Sequence, residues 1–264
     1  MHTTHKACTR WPVNNQVIIT GGANGIGRCI AEAFLHINAT VVIIDIDKLA
    51  GESMQARHKN LRFFHGDIAE KETLEQLVNS LSQPINCLIN IACIGRHGLL
   101  SGCSYHDFEY VQRVGVTAPF YLTSLLLQKD LLAHGASIVN ISSTRANQSQ
   151  PDTESYTAAK GGILALTHAM AVSLAGKARV NAISPGWIET ATYHTNAKTH
   201  AHSPQDNAQH PAGRIGTPED IAEAVLFLCS TKAGFITGET ITIDGGMSRL
   251  MIYNNDHGWR YELT

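Results

Sequence analysis

The sequence lacks several features that would point to particular function classes. Its 264 residues carry a formal net charge of −2 at pH 7, so there is no basic excess to favour nucleic acid or an anionic membrane surface as a partner. Aromatic residues are few, whereas apolar residues reach 44% of the chain, which is enough to build a large core. We therefore expect a globular protein with neither a nucleic-acid nor a membrane partner.

Cysteine pairs, a leader segment and long apolar runs are also missing. The six cysteines include no Cys-x-x-Cys pair and mostly lie in apolar segments, which favours reduced thiols over a disulfide framework. The opening residues, Met1 to Lys6, lack the apolar stretch of a signal peptide. No window approaches the roughly 18 uninterrupted apolar residues that span a bilayer. These absences predict a cytoplasmic location.

What the sequence does contain is an alternation of short aliphatic runs and longer helical patterns. The predicted strands are residues 17–19, 40–44, 61–64, 87–91, 137–141 and 179–183. The predicted helices are residues 25–36, 48–57, 71–81, 105–133 and a last one that contains Tyr156 and ends near residue 175. Near-continuous aliphatic strands separated by helices are typical of a parallel sheet covered on both faces. The sequence therefore predicts one α/β domain over residues 1–264, with a doubly wound, Rossmann-like sheet of about seven strands.

Two segments stand outside this alternation. Residues 191–213 are polar, irregular and rich in histidine, and loops of this length in compact domains tend to be lids over active sites, so we predict a substrate lid. Residues 248–264 form a C-terminal tail with several apolar residues, and such tails usually pack on their own core or on a partner subunit. No carboxylate or cysteine lies at ligand spacing from the lid histidines, so we predict no metal site.

A glycine-rich turn, Thr20 to Gly27, follows the first predicted strand directly and opens a helix. Glycine allows a positive φ angle and a close approach of the backbone to a ligand. A helix N-terminus presents free N–H groups and the positive end of the helix dipole to a pyrophosphate. The spacing is Gly-x-x-x-Gly-x-Gly, and not the better-known Gly-x-Gly-x-x-Gly. This turn predicts a nucleotide-binding site.

Asp45 ends the second predicted strand, about eighteen residues after Gly27. A carboxylate there can accept hydrogen bonds from the adenosine ribose hydroxyls, and it would repel a 2′-phosphate. No arginine follows it, and Asn24 within the glycine turn is not basic. These features favour NAD over NADP; the other interpretation is that Asp45 only caps the next helix.

Tyr156 and Lys160 are four residues apart and would share one face of a helix. A neighbouring cation stabilises a phenolate, which makes a tyrosine an effective acid–base group near neutral pH. The spacing Tyr-x-x-x-Lys alone is common and usually marks an exposed helix pair. Its combination with the glycine turn, and with Ser143 thirteen residues upstream, favours an active site.

Together these motifs resemble the single-domain branch of the short-chain dehydrogenase/reductase family over roughly residues 14–247. The resemblance implies a homotetramer or homodimer and hydride transfer between NAD(H) and the secondary alcohol or ketone of a small-molecule substrate. It implies that the catalytic residues are Ser143, Tyr156 and Lys160. The cofactor-binding residues that it implies are Gly21, Asn24, Gly25, Ile26, Gly27, Asp45, Asp67, Ile68, Asn90, Tyr156, Lys160, Pro185, Gly186, Ile188 and Thr190.

The sequence departs from the family pattern at two places. The family's Asn-Asn-Ala-Gly segment reads Asn90-Ile91-Ala92-Cys93 here, a change that we expect to alter packing more than chemistry. Gly115 stands where the family usually has a catalytic Asn, thought to hold a water that connects the lysine to solvent. We expect a water to take over this relay. The alternatives are an NAD-binding regulatory protein with impaired turnover, or a lyase or epimerase on the same fold.

Substrate specificity would come from loop residues near these motifs. Each candidate is by itself compatible with an ordinary surface or lid residue. As a group they favour a small polar substrate, such as a sugar, polyol or hydroxy compound. The candidate substrate-binding residues are Arg96, Arg145, Glu154, Trp187 and His194.

Overall fold

The computed structural model describes residues 15–194 and 201–256, which form a sheet of seven parallel strands with helices on both faces. The strands are β1 Gln16–Thr20, β2 Thr40–Asp45, β3 Leu61–His65, β4 Ile85–Asn90, β5 Leu132–Ile141, β6 Ala178–Pro185 and β7 Thr240–Ile243. Their order in the sheet is β3-β2-β1-β4-β5-β6-β7, and every neighbouring pair is parallel. The predicted doubly wound α/β fold is confirmed.

The described residues contain eight α-helices. They are α1 Gly25–His36, α2 Lys48–Arg57, α3 Lys71–Asn79, α4 Tyr105–Gln112, α5 Ala118–Gln128, α6 Glu154–Ser173, α7 Pro204–Ala208 and α8 Pro218–Cys229. Successive residues of a strand point to opposite faces, so Val17 and Ile19 pack in the core under α1, α2 and α8, whereas Ile18 packs under α3, α5 and α6. A hydrophobic core therefore lies on each face of the sheet, and because both faces are buried, the strands are aliphatic throughout.

The predicted helix 105–133 is wrong as one continuous element. The structure divides it into α4, a π-helical segment Arg113–Thr117, and α5, which ends at Gln128. Asp130 has a positive φ of 55°, which stops the helix, and β5 begins at Leu132. The aliphatic residues after Asp130 suit a helix or a strand equally well, so periodicity alone could not place this boundary.

The predicted lid and tail fall partly outside the described residues. Residues 195–200 and 257–264, which include His200, Trp259 and Tyr261, are among those not described. The described part of the lid is less irregular than expected, since it contains α7 behind a capping box in which Ser203 and Asp206 exchange hydrogen bonds. No helix in the described part of the chain is long and apolar enough to cross a membrane.

Candidate active site

The turn between β1 and α1 depends on its glycines. Gly21 and Gly25 have positive φ angles of 69° and 55°, in the left-handed region that favours glycine. A Cβ atom on Gly27 would lie 2.0 Å from the carbonyl oxygen of Gly21, so that position also excludes a side chain. The turn therefore brings bare backbone to the N-terminus of α1, where free N–H groups and the helix dipole favour a phosphate group.

This turn lies beside the carboxyl end of β4. The Thr20 hydroxyl accepts hydrogen bonds from the backbone N–H groups of Ile91 (3.1 Å) and Ala92 (3.2 Å), which joins the ends of two adjacent strands. A Cβ atom on Gly21 would lie 2.8 Å from Ala92 Cα, so the close contact requires glycine. Between β1 and β4 the strand order reverses, and ligands of open α/β sheets bind at such a switch point.

A cleft of about 350 Å³ opens at this switch point. Many of the predicted cofactor-binding residues line it, namely Gly21, Asn24, Ile26, Gly27, Asp45, Asp67, Ile68 and Thr190. Sequence reasoning missed Ile46 and Tyr110, which line it too. The structure thus brings the glycine turn and the two predicted aspartates to one cavity, which we call the cofactor cleft.

The carboxylate of Asp45 faces the glycine turn and does not cap α2. Its Oδ2 accepts a hydrogen bond from the Ala23 N–H (3.0 Å), and its Oδ1 accepts one from the Asp47 N–H (3.0 Å). Asp47 is the N-cap instead, because its Oδ1 accepts from the Ala50 N–H (3.0 Å). The interpretation of Asp45 as a mere helix cap is therefore wrong.

Asp47 is a second carboxylate near the cofactor cleft that sequence reasoning missed, and it is joined to the cleft residue Asn24 by a hydrogen bond. Hydrogen bonds from the Ala50 N–H and from the Asn24 side chain (2.8 Å) hold the pKa of its carboxyl below the ordinary value. The pattern Asp-x-Asp before a helix was the available signal. With Asp45 at the end of β2 and Asp47 two residues later, two carboxyl groups lie close together, which disfavours an additional phosphate group there.

Tyr110 forms the far wall of the cofactor cleft with Asp67. The Tyr110 hydroxyl donates to Asp67 Oδ2 at 2.7 Å, and burial together with this hydrogen bond raises the pKa of Tyr110 to about 12. The Arg96 guanidinium lies 5.2 Å from the Tyr110 ring centroid, and its Nε is 3.9 Å from Asp107 Oδ1. Arg96, predicted to bind substrate, therefore packs behind the cofactor cleft.

Asn90 is held inside the sheet. Its side chain is 4% exposed and donates to Asn140 Oδ1 at 2.8 Å, while Asn140 donates to the Thr167 hydroxyl at 2.9 Å. This buried network ties β4 to β5 and α6. The predicted cofactor residue Asn90 therefore supports the cleft from behind, and the next residues, Ile91 and Ala92, line it.

His194 lies over the glycine turn and not over the predicted substrate pocket. Its Nε2 atom is 3.2 Å from the position that a Cβ on Gly25 would occupy, and Thr190 Cβ is 3.7 Å from the same position. Both His194 and Thr190 line the cofactor cleft. The first residues of the lid thus reach the phosphate-binding end of that cleft.

Ser143 and Tyr156 line a second cavity of about 620 Å³, which we call the catalytic pocket. Lys160 lies behind it, 3% exposed, with its Nζ atom 5.5 Å from the Tyr156 ring centroid. The ammonium donates to the carbonyl oxygen of Ile141 at 2.7 Å. The Ser143 hydroxyl oxygen accepts a hydrogen bond from the Arg145 N–H at 3.1 Å. The three residues predicted to be catalytic are therefore brought together.

The segment after β6 separates the two cavities. The Gly186 N–H donates to the Ile243 carbonyl oxygen at 2.9 Å, and a Cβ on Gly186 would lie 2.5 Å from Asp244 Cβ, so this segment packs tightly on the end of β7. Ile188 lines the catalytic pocket, and Thr190 lines the cofactor cleft. Pro185, the first residue of the predicted set in this segment, is the buried end of β6.

Only part of the predicted substrate set reaches the catalytic pocket. Arg145 and Trp187 line it. Glu154 does not, because its exposed carboxylate accepts a hydrogen bond from the Leu99 N–H at 3.2 Å and so fixes a neighbouring loop. Sequence reasoning missed several loop residues for which no spacing gave a signal, and these are Thr144, Gln148, Ser149, Gln150, Gln209 and Met247.

Gly115 lies in the π-helical segment, against α6. A Cβ atom there would be 2.8 Å from the Cβ of Ala159, which is next to Lys160. One turn earlier, the Gln112 side chain donates to the Ser155 carbonyl oxygen at 2.9 Å. The glycine therefore permits a close contact between two helical segments directly behind the catalytic pocket.

The lid histidines that could be considered as metal ligands have other neighbours. His202 Nε2 lies 3.0 Å from Glu189 Oε2, and His210 Nδ1 lies 3.1 Å from the Asp206 carbonyl oxygen. Across residues 15–194 and 201–256, no three His, Cys, Asp or Glu side chains converge to form a metal site.

The fold and these two cavities define a Rossmann-like α/β protein in which a tyrosine–lysine pair and a cleft beside a glycine-rich turn lie at the carboxyl ends of the strands. The family model described as enoyl-(acyl carrier protein) reductase matches residues 21–248. The chain is 40% identical over 247 residues to an uncharacterized oxidoreductase of Thermotoga maritima, with 89% of this chain and 96% of that protein covered. It is 34% identical to 2-(S)-hydroxypropyl-CoM dehydrogenase 3 of Xanthobacter autotrophicus, with 90% and 98% covered.

Among solved structures, an apo SCOR enzyme from Clostridium thermocellum aligns with a TM-score of 0.87 and 44% identity, covering 96% of this chain and 100% of that one. The chain belongs to the short-chain dehydrogenase/reductase family and is an oxidoreductase.

Proposed function

We propose that this protein is an NAD-dependent dehydrogenase or reductase that interconverts a secondary alcohol and a ketone on a small polar substrate. The observation that carries the proposal is the position of Tyr156. Its ring lines the catalytic pocket together with Ser143, and the buried ammonium of Lys160 lies 5.5 Å from its centroid. A tyrosine that faces the pocket beside a serine hydroxyl can exchange a proton with a substrate hydroxyl or carbonyl, which is the acid–base step of the proposed reaction.

The residues of the cofactor cleft fit a nicotinamide dinucleotide. Positions 21 and 27 exclude a Cβ, so the backbone can approach a pyrophosphate at the N-terminus of α1. Asp45 lies beside the glycine turn, where its carboxyl group would accept hydrogen bonds from an adenosine ribose, and the Asp47 carboxylate lies two residues further on. This pair supports NAD over NADP. When bound, the nicotinamide accepts or supplies the hydride.

Three residues of the chain carry out the proton transfer in the proposed reaction. In the oxidation direction, the Tyr156 phenolate takes the proton of the substrate hydroxyl, and in the reduction direction the Tyr156 hydroxyl returns it. The Ser143 oxygen accepts from the Arg145 N–H, which leaves its own O–H free to donate to the substrate oxygen. Lys160 uses one donor on the Ile141 carbonyl and has two more for the nicotinamide ribose and the tyrosine oxygen.

A second candidate is an NAD-binding regulatory protein with impaired turnover. The observation that favours it is Gly115, which provides no side chain for the family's relay and whose space is closed by Ala159. Under this alternative the cofactor cleft still binds NAD, but the catalytic pocket turns over slowly or not at all. A lyase or epimerase on the same fold would bind cofactor without net change in its redox state.

The test is NADH absorbance with a panel of polyols, hydroxy acids and ketones, run in parallel with NADP(H). We expect turnover with NAD(H), and a loss of roughly 100-fold to 10,000-fold in kcat for Tyr156→Phe. Calorimetry should give unchanged NADH affinity for that variant. The exposed Tyr253 provides the matched control, since Tyr253→Phe should leave both values unchanged. Tight NADH binding without turnover in the wild type would favour the regulatory alternative.

A further inference from the structure

We propose that the catalytic pocket selects substrates that carry an oxyanionic group, held by the Arg145 guanidinium. The inference rests on the proposed function, because it names the chemical class of the substrate at the same site. The expected substrates are small hydroxy acids or their keto counterparts, in which the anionic group is a carboxylate, phosphate or sulfonate close to the reacting carbon.

The described residues that line the catalytic pocket carry a positive charge and no negative one. Among the described residues that line it, Arg145 is the only one with a formally charged side chain, and none is a carboxylate. Within the described residues, the Arg145 guanidinium pairs with no carboxylate, and its Nη2 donates to the Gln150 side-chain oxygen. The buried ammonium of Lys160 adds a second positive charge behind Tyr156. A neutral substrate would leave this positive field without a counter-charge.

Arg145 is also placed next to the groups that meet the reacting oxygen. Its Cζ atom lies 5.6 Å from the Tyr156 ring centroid, and its backbone N–H donates to the Ser143 hydroxyl oxygen at 3.1 Å. An anion bound at the guanidinium would therefore be within a few bonds of the carbon that bears the hydroxyl or carbonyl. This proximity favours compact acids over long chains with a remote charge.

The form of the guanidinium suits this task. Its five donors lie in one plane and match the oxygens of a carboxylate, phosphate or sulfonate. One donor is engaged by Gln150, and the contact with the Tyr156 ring limits the directions in which the group can turn. Gln148, Ser149 and Gln209 supply neutral hydrogen-bonding groups elsewhere in the pocket lining. An oxyanion could thus be bound without a further charged residue.

Arg145 has a second conceivable role, which the experiment must separate from the first. As a cation beside Tyr156 it would stabilise the phenolate, and its loss would then lower kcat for every substrate by the same factor. Recognition of an anion instead predicts a loss that is confined to charged substrates and appears mainly in KM.

The experiment compares the hydroxy acid 3-hydroxybutyrate with its uncharged carboxamide, with a phosphonate and a sulfonate analogue as further arms. For the wild type with NAD, we expect kcat/KM to be roughly tenfold or more higher for at least one anion than for the carboxamide. Arg145→Gln should raise KM for the anions by roughly tenfold and thereby remove this preference, whereas Arg145→Lys should retain part of it. Arg57→Gln, a change at an exposed arginine far along the chain, is the matched control.

Calorimetric titration of the same anions into the enzyme with NADH gives a readout that does not depend on turnover. Anion binding that Arg145→Gln weakens by roughly tenfold would support the inference even if no substrate were turned over, in which case the proposed function alone would fail. The inference is overturned if the carboxamide is used as well as every anion, if Arg145→Gln lowers kcat equally for both classes, or if no anion binds.

Discussion

At the scale of single residues, the ammonium group of Lys160 is buried, which lowers the stability of the fold because a charge loses its hydration there. Its side chain is 3% exposed, and within the described residues its ammonium meets a carbonyl oxygen and an aromatic ring but no carboxylate. Taking an ammonium out of water costs several kcal/mol in real proteins, and such contacts offset that only in part. We infer that the residue is retained for its effect on Tyr156 and not for stability.

This inference predicts opposite effects on stability and activity for Lys160→Met. Methionine fills a similar volume without a charge, so the midpoint of thermal unfolding should stay the same or rise by a few degrees. Turnover should fall by roughly 100-fold or more, because the phenolate loses its cation. Differential scanning calorimetry and the NADH assay measure the two effects. Lys59→Met, at an exposed lysine, should change neither, and a large drop in stability of Lys160→Met would contradict the argument.

The position of a single side chain in the site was predictable only where the sequence spacing fixes the direction in which that side chain points. Tyr156 and Lys160 are one helical turn apart, so their shared face follows from the sequence. Glu154 is also close to Tyr156 along the chain, but two residues on a helix correspond to about 200°, which turns its carboxylate away to the Leu99 loop. Arg96 is separated from Tyr110 by fourteen positions, and no periodicity could reveal that their side chains stack.

At the scale of elements, the π-helical segment and α6 are in close contact behind the catalytic pocket. Gly115→Ala would place a methyl group 2.8 Å from Ala159 Cβ. Overpacking of this kind costs about 1–3 kcal/mol, while the better helix propensity of alanine returns up to about 1 kcal/mol. We therefore expect Gly115→Ala to lower the free energy of unfolding, measured by urea denaturation.

Gly161 in α6 provides the matched control. A Cβ atom there meets nothing within 4 Å, so Gly161→Ala should raise the free energy of unfolding by about 0.5–1 kcal/mol. Adding Ala159→Gly to Gly115→Ala should recover part of the lost stability, since it removes the clashing methyl group. Equal gains for both glycine variants would mean that the contact behind the pocket is not tight.

The same contact decides how the regulatory alternative can be tested. The sequence alone suggests Gly115→Asn as a restoration of the family's side chain, but the structure leaves no room for its Cβ beside Ala159. The informative variant combines Gly115→Asn with Ala159→Gly. A large rise in kcat in that double variant would indicate that the native relay is impaired, whereas an unchanged kcat would indicate that water already serves it.

Helix α8 contains a carboxylate that makes stability depend on pH. Asp220 accepts two hydrogen bonds from Arg214, at 2.6 and 2.7 Å, and one from the Thr217 N–H at 2.7 Å. The pKa of Asp220 is lowered to about 2, and the hydrogen bonds from Arg214 are the largest cause. Because its folded pKa is below the unfolded value near 3.9, Asp220 stabilises the fold above about pH 4 and loses this effect as pH falls toward 2.

Asp220→Asn isolates this contribution. The stability difference between the wild type and the variant should be largest at pH 5 and above, and it should shrink by on the order of 1 kcal/mol toward pH 3, given that Arg214 is half exposed. Urea denaturation at pH 7, 5, 4 and 3 measures the difference. Asp256→Asn, in the exposed C-terminal segment, serves as the control. A difference that stays constant down to pH 3 would contradict the assigned role.

Element boundaries were predictable where a local signal exists. The start of α1 follows from the glycine turn, and both ends of α1 and α2 agree with the predicted ranges 25–36 and 48–57. The end of α5 was not predictable, because Asp130 adopts a left-handed conformation that the residue type does not reveal. The short helix α7 was missed for a different reason, since five residues are too few for a periodic pattern.

At the scale of the whole molecule, the parallel sheet explains why distant motifs meet. Because the strands are parallel, the carboxyl ends of β1, β2, β4, β5 and β6 lie on the same side of the sheet. Residues that are more than 100 positions apart in sequence, such as Gly21 and Thr190, therefore share the cofactor cleft. The doubly wound parallel sheet was predictable from the alternation of aliphatic strands and helices. Which loop side chains enter each cavity was not, because His194 and Trp187 are seven positions apart and line different ones.

The remaining apolar surface leads to a prediction about assembly. Three large apolar side chains are exposed to solvent: Phe120 on α5 (55%), Val172 on α6 (78%) and Phe235 (fully). Exposed apolar surface of this kind can mark a contact with another subunit. We expect a homotetramer with two-fold symmetry in which α5 or α6 contributes to an interface. Light scattering at micromolar concentration should give four times the chain mass, and Val172→Glu should give a smaller species. Leu49→Glu, at a similarly exposed leucine on α2, should leave the mass unchanged. A wild-type monomer would exclude the assembly and leave these side chains as ordinary surface.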